Sequence, residues 1–330
     1  MNKNVVIALA VLGILGALFF FYNHYMITMN TETVVINIPD GSTADEISSV
    51  LKYGGVVRDS GIFYDLIKLR RADRKLQNGT YYIAPRQTLN GLLKKIVKGD
   101  TYRIKITIPE GMTCYHIARK LQEKGVVAYK DFVEEVMRSQ AEGYLFPETY
   151  FFDIHKSSPA LVVKTMTEQF EKMYGPKLQA REKVVGLTRT QVVILASLIE
   201  KEARTEIDRG MVSAVFQNRL KKRMYLESCA TVQYAIALLF DPSGPWKQRL
   251  GIQDTKINSP YNTYKKIGLP PGPICNPGIS AIKAALYPAE SSAMYFVADS
   301  SGTHVYSRDF KEHLKNKREQ KRIKRSIEAR

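Results

Sequence analysis

The chain has 330 residues, a formal net charge of +17 and three cysteines, Cys114, Cys229 and Cys275. Its length allows two domains of ordinary size. The odd number of cysteines, without metal-ligand spacing, excludes a disulfide framework and a cysteine-based metal site. No glycine-rich phosphate-binding motif and no histidine cluster occurs in the sequence. We therefore expect no cofactor and no metal.

The N-terminal segment Val5–Tyr22 is an apolar run without a charged residue that closes on four aromatic residues. Such a run predicts a transmembrane helix, and no small-residue cleavage site follows it to favour a signal peptide. Lys3 precedes the run, whereas the next basic residue is Lys52. The sequence thus predicts a single-pass membrane protein with residues 1–4 in the cytoplasm, 5–22 in the membrane and a linker over 23–33.

An internal repeat follows the predicted linker. Ile38–Val57 aligns without a gap to Ile108–Val127, and a weaker echo covers Ile83–Gly99. Each copy predicts a strand end, a turn and a helix that begins at a Ser/Thr cap and stops at glycine. The short strand–helix units around Gly79–Ile83 resemble the LysM class of glycan-binding modules. They predict a LysM-like domain over residues 34–104. The alternative is that these residues form a spacer that holds a second domain away from the membrane.

The second half of the chain predicts a mixed α+β domain over residues 105–313, so that the fold class is α+β. Its aromatic segment Glu142–Tyr150 predicts a loop or strand. Near the C-terminus the sequence predicts a hairpin whose two strands flank Asp299–Gly302. Amphipathic or apolar helices are predicted at Asp131–Gln140, Pro159–Tyr174, Asp208–Lys222, Thr231–Leu239 and Ile279–Leu286.

The basic tail, residues 314–330, has two interpretations. Outside the membrane, lipid headgroups and cell-wall polymers are the anions that such a segment attracts. A solvated terminal helix is the alternative, because charged tails are usually just that.

Gln191–Arg204 predicts a helix that is buried on most sides and is capped by Thr188 or Thr190. At its end Glu200 has small residues, Ala196 and Ala203, on the same helical face. These small residues leave a gap beside the carboxyl group that a ligand could fill. The carboxyl group also lies at the edge of a low-dielectric core, where desolvation raises its pKa and favours the protonated form that a general acid needs. A helix end that simply reaches water is the competing interpretation.

Ser259–Gly278 combines five prolines with tyrosine and asparagine side chains. Because proline fixes φ, this loop is stiff. It could form the wall of a sugar groove or pack around a buried turn.

These motifs, in this order, resemble the YceG-like family, the bacterial endolytic murein transglycosylases. The resemblance rests on the N-terminal anchor, the LysM-like region, EGYLFPETY, ASLIEKEA, VFQNRL, SPYNTYKKIGLPPGPICNPG and YFVADSSGTHVYS. It implies non-hydrolytic cleavage of the MurNAc–GlcNAc bond in nascent peptidoglycan, which leaves 1,6-anhydro ends and ends glycan elongation. It assigns the catalytic acid/base to Glu200. The implied location is the bacterial cytoplasmic membrane with the catalytic domain outside, and the implied partners are glycan strands and peptidoglycan synthases, with no nucleic acid.

One departure from the family pattern concerns the segment after the VFQNRL helix. Cys229 and Ala230 stand where the family usually carries Asp–Pro, while Thr231 and Val232 are kept. A catalytically weak or inactive peptidoglycan-binding scaffold is therefore the alternative function. Candidate substrate-binding residues are Glu142, Asn218, Thr231, Tyr261, Asn262, Tyr264 and Pro271.

Overall fold

The computed structural model of the chain describes residues 3–154, 156–299 and 302–328. The first two residues of the predicted cytoplasmic tip, residues 300–301 of the predicted hairpin turn and the last two residues of the predicted tail lie outside this description. The helices are α1 (Lys3–Tyr25), α2 (Ala44–Tyr53), α3 (Ser60–Leu69), α4 (Leu89–Lys98), α5 (Cys114–Glu123), α6 (Tyr129–Ser139), α7 (Pro159–Val185), α8 (Arg189–Glu202), α9 (Glu206–Lys221), α10 (Cys229–Phe240), α11 (Ile279–Leu286) and α12 (Phe310–Glu328).

The strands form three two-stranded sheets, β1–β2, β3–β4 and β5–β6. They are β1 (Val34–Ile38), β2 (Gly79–Ile83), β3 (Ile104–Thr107), β4 (Thr149–Phe152), β5 (Tyr295–Ala298) and β6 (His304–Ser307). The pairs β1–β2 and β5–β6 are antiparallel. The predicted mixed α+β class is confirmed, and so is the C-terminal hairpin.

The chain divides into two compact units. Unit 1 comprises Met1–Ile104 and Phe151–Ser157, and unit 2 comprises Lys105–Tyr150 and Ser158–Arg330. In unit 1, helices α2, α3 and α4 pack their apolar faces on the β1–β2 sheet around a core that includes Phe63 and Tyr81.

The repeated sequence forms the same local structure twice. Thr43 caps α2 and Thr113 caps α5, and each side chain accepts a hydrogen bond from the backbone N–H three residues on. The preceding turns place Gly41 and Gly111 at φ 75° and 76°, a conformation that glycine adopts at little cost. The predicted strand–turn–helix repeat is thereby confirmed.

Helix α7 runs beyond its predicted end at Tyr174. Gly175 interrupts it with φ 47° and ψ 169°, and Pro176 then begins a second helical stretch that continues to Val185. Since proline is favourable in the first turn of a helix, the Gly175–Pro176 step marks a kink and not the end of the helix.

In unit 2, α8 occupies the centre of the core. Every residue from Val192 to Ile199 is buried. The helix packs against α11 and α9, in a cluster that includes Phe170 and Phe216. Because this helix is held on all sides, the position of its last turn is fixed.

Helix α1 contains the predicted apolar run, with side chains such as Leu12 and Phe19 exposed. Within residues 3–154, 156–299 and 302–328, no helix is both long enough and apolar enough to cross a membrane. The predicted span stays a prediction.

Residues 314–328 of the predicted basic tail lie within α12, which begins at Phe310. Its first turns pack on the hairpin, where the ring of His313 stacks on Tyr295 at 5.2 Å between centroids. The start of the basic segment is thus part of a packed helix.

Candidate active site

The candidate site begins at the C-terminal end of α8. Thr188 caps the helix, since its side chain accepts a hydrogen bond from the Gln191 N–H and the Gln191 side chain accepts one from the Thr188 N–H. The helix ends in Glu200 and Glu202. Carboxylates at this end face the negative pole of the helix dipole, so each one requires a donor from elsewhere in the fold.

Glu200 is enclosed by such donors. Its side chain is only 7% exposed, and its Oε1 accepts a hydrogen bond from Arg209 Nη2 at 3.2 Å. Its Oε2 accepts one from the Gly278 N–H at 2.9 Å. The flanking residues Ala196 and Ala203 are both buried. The space predicted beside Glu200 is therefore taken up by protein, and its catalytic role stays a prediction.

A further carboxylate, Glu110, lies close to this ion pair. Its Oε2 is 3.9 Å from Arg209 Nη2. Partial burial and the nearby charge of Glu200 raise the pKa of Glu110 above its ordinary value. A Cβ added at Gly278 would overlap Glu110 Oε1 at 1.8 Å, so this close packing depends on glycine.

Glu202 has a different environment. Its Oε1 accepts a hydrogen bond from Ser228 Oγ at 2.6 Å and a long one from the Ala230 N–H at 3.5 Å. The side chain borders a cavity of about 430 Å³ whose lining also includes Cys229, Tyr264 and His304. Glu202 thus combines a fixed position with access to a space that a ligand can fill.

His304 is held rigidly on the same cavity. Its Nδ1 lies 2.8 Å from Asp208 Oδ2, and the Tyr306 hydroxyl donates to Asp208 Oδ1 at 2.5 Å. The imidazole also packs edge-on against Phe296. Because Asp208 occupies the Nδ1 side, Nε2 is the nitrogen that can serve a ligand.

Cys229 is the first residue of α10 and follows the cap residue Ser228. Its Sγ lies 3.3 Å from the Tyr264 hydroxyl. Burial raises the pKa of the Cys229 thiol, which favours the neutral form. The residues that follow it, Thr231 and Val232, are fully buried, so the helix start is packed despite the absence of Asp–Pro.

A second and larger cavity of unit 2, of about 900 Å³, lies beside Glu142. Glu142 Oε2 accepts a hydrogen bond from the Cys114 N–H at 2.9 Å, and Oε1 accepts one from Asn276 Nδ2 at 3.0 Å. Burial raises the pKa of Glu142 to about 7 despite these bonds. Of the predicted substrate-binding residues, Tyr261 and Pro271 line this same cavity.

Three other predicted substrate-binding residues brace the backbone. Asn218 Nδ2 donates to the carbonyls of Ser291 and Ala293. Asn262 is fully buried, with Nδ2 bound to two carbonyls and Oδ1 accepting from the Tyr264 N–H. Thr231 is also fully buried and donates to the Ser228 carbonyl. Their contact with substrate stays a prediction.

Sequence reasoning did not assign Glu202, His304 and Asp208 to the site. Glu202 belongs to the same EKE segment as Glu200, but the small residues on the face of Glu200 drew the prediction to that carboxylate, and the contacts of Glu202 are made with another element. The pair His304 and Asp208 is separated by 96 positions. No local sequence pattern predicts a pair so far apart in the chain.

Comparisons with known proteins agree with this arrangement of motifs. The model of the YceG-like family matches residues 36–319. The chain belongs to the YceG-like family. The endolytic murein transglycosylase of Bacillus subtilis is 35% identical over 311 residues, which cover 86% of this chain and 84% of that relative.

Two further comparisons show how much of each relative's length this chain covers. The endolytic murein transglycosylase of Streptococcus pneumoniae serotype 2 is 30% identical over 86% of this chain, which spans 57% of that relative's length. A crystal structure of a YceG-like protein from Listeria monocytogenes is 30% identical, has a TM-score of 0.55, and is matched over 87% of this chain and 99% of its own.

Glu142 predicts a pH dependence of stability. In the folded protein its pKa is about 7 instead of 4.5, so the native state binds more protons between these values. Its stabilising contribution is therefore complete below pH 4.5 and is lost as the pH rises to about 7, by about 3 kcal/mol in total. Urea unfolding of Glu142→Gln should lack this slope. The exposed Glu134→Gln is the control, and a wild-type slope in Glu142→Gln would contradict the assignment.

Proposed function

We propose that this chain is an endolytic murein transglycosylase that cuts nascent peptidoglycan strands between MurNAc and GlcNAc. Membership of the YceG-like family and two relatives with that name support the proposal. The observation that carries it is the carboxylate of Glu202 at the edge of a cavity lined by Tyr264 and His304.

The proposed reaction requires one carboxyl group rather than two. Glycosidases commonly use two carboxylates so that one can act on water or on the sugar while the other protonates the leaving oxygen. Here the 6-hydroxyl of the same muramic acid attacks the anomeric carbon and closes a 1,6-anhydro bridge. One residue first protonates the leaving glycosidic oxygen and then accepts the proton of that hydroxyl.

Within the EKE segment, access and available bonding favour Glu202 as that residue. Both oxygens of Glu200 accept hydrogen bonds from protein groups, and its side chain is 7% exposed. The hydrogen bonds of Glu202 described above use Oε1, which leaves Oε2 as the oxygen that can meet a glycosidic oxygen in the cavity. Glu200, which the family resemblance assigns, is the rival candidate.

Neighbouring side chains supply the electrostatic support that the reaction needs. Positive charge develops on the sugar ring in the transition state, and fixed dipoles stabilise it without reorganisation. The Tyr264 hydroxyl and the ring of His304, which Asp208 holds through Nδ1, are such fixed groups on this cavity. The N-acetyl oxygen of the substrate is a further source of support.

We also propose that Val5–Tyr22 anchors the protein in the bacterial cytoplasmic membrane with its N-terminus inside. The run lacks charge, and its apolar side chains within α1, such as Leu12 and Phe19, are exposed. An anchored enzyme meets newly made strands and the synthases that make them at high effective concentration.

We propose that unit 1 is a LysM-like module that binds amino-sugar polymers. Its helices α2 and α4 each follow a strand and begin at a threonine cap, as in the repeated pattern described above. A spacer role is the alternative, because a fold by itself does not establish binding.

Glu202→Gln should abolish cleavage of purified glycan strands while it preserves the fold, because the amide is nearly isosteric but cannot donate a proton. Glu200→Gln is the matched control and should keep turnover within about tenfold, since that side chain acts through Arg209 and Gly278. Chromatography and mass spectrometry of the products measure both. The reverse outcome, with Glu202→Gln active and Glu200→Gln inactive, would assign the proton transfer to Glu200 instead.

Deletion of Met1–Tyr22 should give a protein that still cuts isolated strands, because Glu202 lies in unit 2. Complementation of a strain that lacks the enzyme should fail at normal expression, since the anchor raises the concentration of enzyme near nascent strands. Full complementation by the truncated protein at normal expression would contradict the anchoring role.

Cys229→Asp should shift the alkaline limb of the pH–rate profile upward, because a second carboxylate on the cavity of Glu202 disfavours ionisation there and so keeps the general acid protonated to a higher pH. The asparagine side chain of Cys229→Asn has nearly the shape of aspartate but no charge, so this variant should leave that limb of the profile at the wild-type pH. If the two variants give the same profile, the carboxylate that works in the reaction is not beside Cys229.

A further inference from the structure

The larger cavity of unit 2 is separate from the one that Glu202 borders. Helix α8 reaches both, with Thr190 on the larger cavity and Glu202 on the smaller one. At 1.5 Å per residue, these two positions lie about 18 Å apart along the helix axis. A ligand in the larger cavity is therefore several sugar rings away from the proposed cleavage point.

The wall of this cavity includes four tyrosine rings, those of Tyr115, Tyr144, Tyr234 and Tyr261. Tyr234 meets Tyr261 edge-on at 4.9 Å between ring centroids, and Tyr144 meets Phe170 in the same way at 4.9 Å. The core thus holds these rings in place before any ligand arrives, which lowers the entropy cost of binding. A tyrosine offers an apolar face and a hydroxyl, and a pyranose ring needs both kinds of contact.

The polar groups of the cavity complete this chemistry. Glu142 lies among the tyrosines, and Asn276 and the Cys114 N–H fix its carboxyl group. A fixed carboxyl group can pair with sugar hydroxyls or with an amide N–H. Its pKa of about 7 marks the strong burial that such functional positions often have.

The far wall is stiff. Gly143 has φ 89°, and a Cβ there would lie 2.5 Å from Pro273 Cγ, so the two loops that close the cavity are in direct contact. Pro271 and Gly272 of the same loop also line the space. A preformed wall of this kind is typical of a ligand site.

We propose that this cavity is a distal glycan subsite that holds N-acetylated sugar residues of the strand that is cut beside Glu202. The inference rests on the proposed function, because an enzyme that cuts within a polymer binds rings on both sides of the broken bond. Binding energy from such remote rings positions the reacting bond.

Thr167→Trp tests the subsite by filling the cavity from α7. Its control is Thr165→Trp on the same helix. Both threonine hydroxyls donate to a carbonyl four residues back, but only Thr167 lines the cavity. Each variant is made in the full chain with Glu200→Gln and Glu202→Gln, which removes both candidate proton donors. Calorimetry then measures binding of chito-oligosaccharides, the β-1,4-linked oligomers of N-acetylglucosamine.

Thr167→Trp should weaken binding about tenfold or more, which corresponds to about 1.4 kcal/mol, while Thr165→Trp binds like its parent. Thr190→Trp fills the cavity from α8 and should act like Thr167→Trp, so a single misfolded variant does not end the test. Binding by both filled variants that equals the control overturns the proposal. The proposal is also overturned if Thr167→Trp weakens the binding of muropeptide stems but leaves the binding of peptide-free glycan unchanged.

This result is independent of the assignment of the proton donor. Cleavage by Glu202→Gln would refute the proposed catalytic role and leave the binding measurement intact. Unchanged binding in the filled variants would refute the distal subsite and leave the catalytic role intact.

Discussion

The arrangement of unit 2 depends on one electrostatic constraint, the presence of two carboxylates at the end of the buried helix α8. The negative pole of the helix dipole disfavours them, so the fold must bring donors to this point. Glu200 receives Arg209 and the Gly278 N–H, and Glu202 receives the Ser228 hydroxyl. These contacts tie α9, the proline-rich loop and the start of α10 to one helix end.

The same constraint gives the two carboxylates different surroundings. Residues two apart on a helix face different sides, so one carboxyl group can be sealed while the other stays accessible. Glu200 is enclosed by protein groups, with its side chain 7% exposed. Glu202 borders a cavity together with His304, whose Nδ1 is held by Asp208. A reaction that brings its own nucleophile, the 6-hydroxyl of the sugar, needs only the second of these.

Local sequence patterns predicted the local structure well. The caps at Thr43, Thr113 and Thr188 and the buried stretch of α8 follow from patterns within a few residues. Long-range contacts were beyond such patterns. The local pattern favoured Glu200 because of its small neighbours Ala196 and Ala203, and it could not show the partners of Glu200 and Glu202, which come from other elements. The kink of α7 was missed since a Gly–Pro step can either end a helix or restart one.

We propose that the glycosidic bond breaks as Glu202 protonates its oxygen, and that the sugar's own 6-hydroxyl then bonds to the anomeric carbon and gives its proton to Glu202. Digestion of purified glycan strands in water enriched in heavy oxygen tests it most directly, with mass spectrometry of the new ends. The account predicts products that lack one water relative to hydrolysis and carry no heavy oxygen. Labelled reducing ends would show that water attacks the anomeric carbon, and would contradict the account.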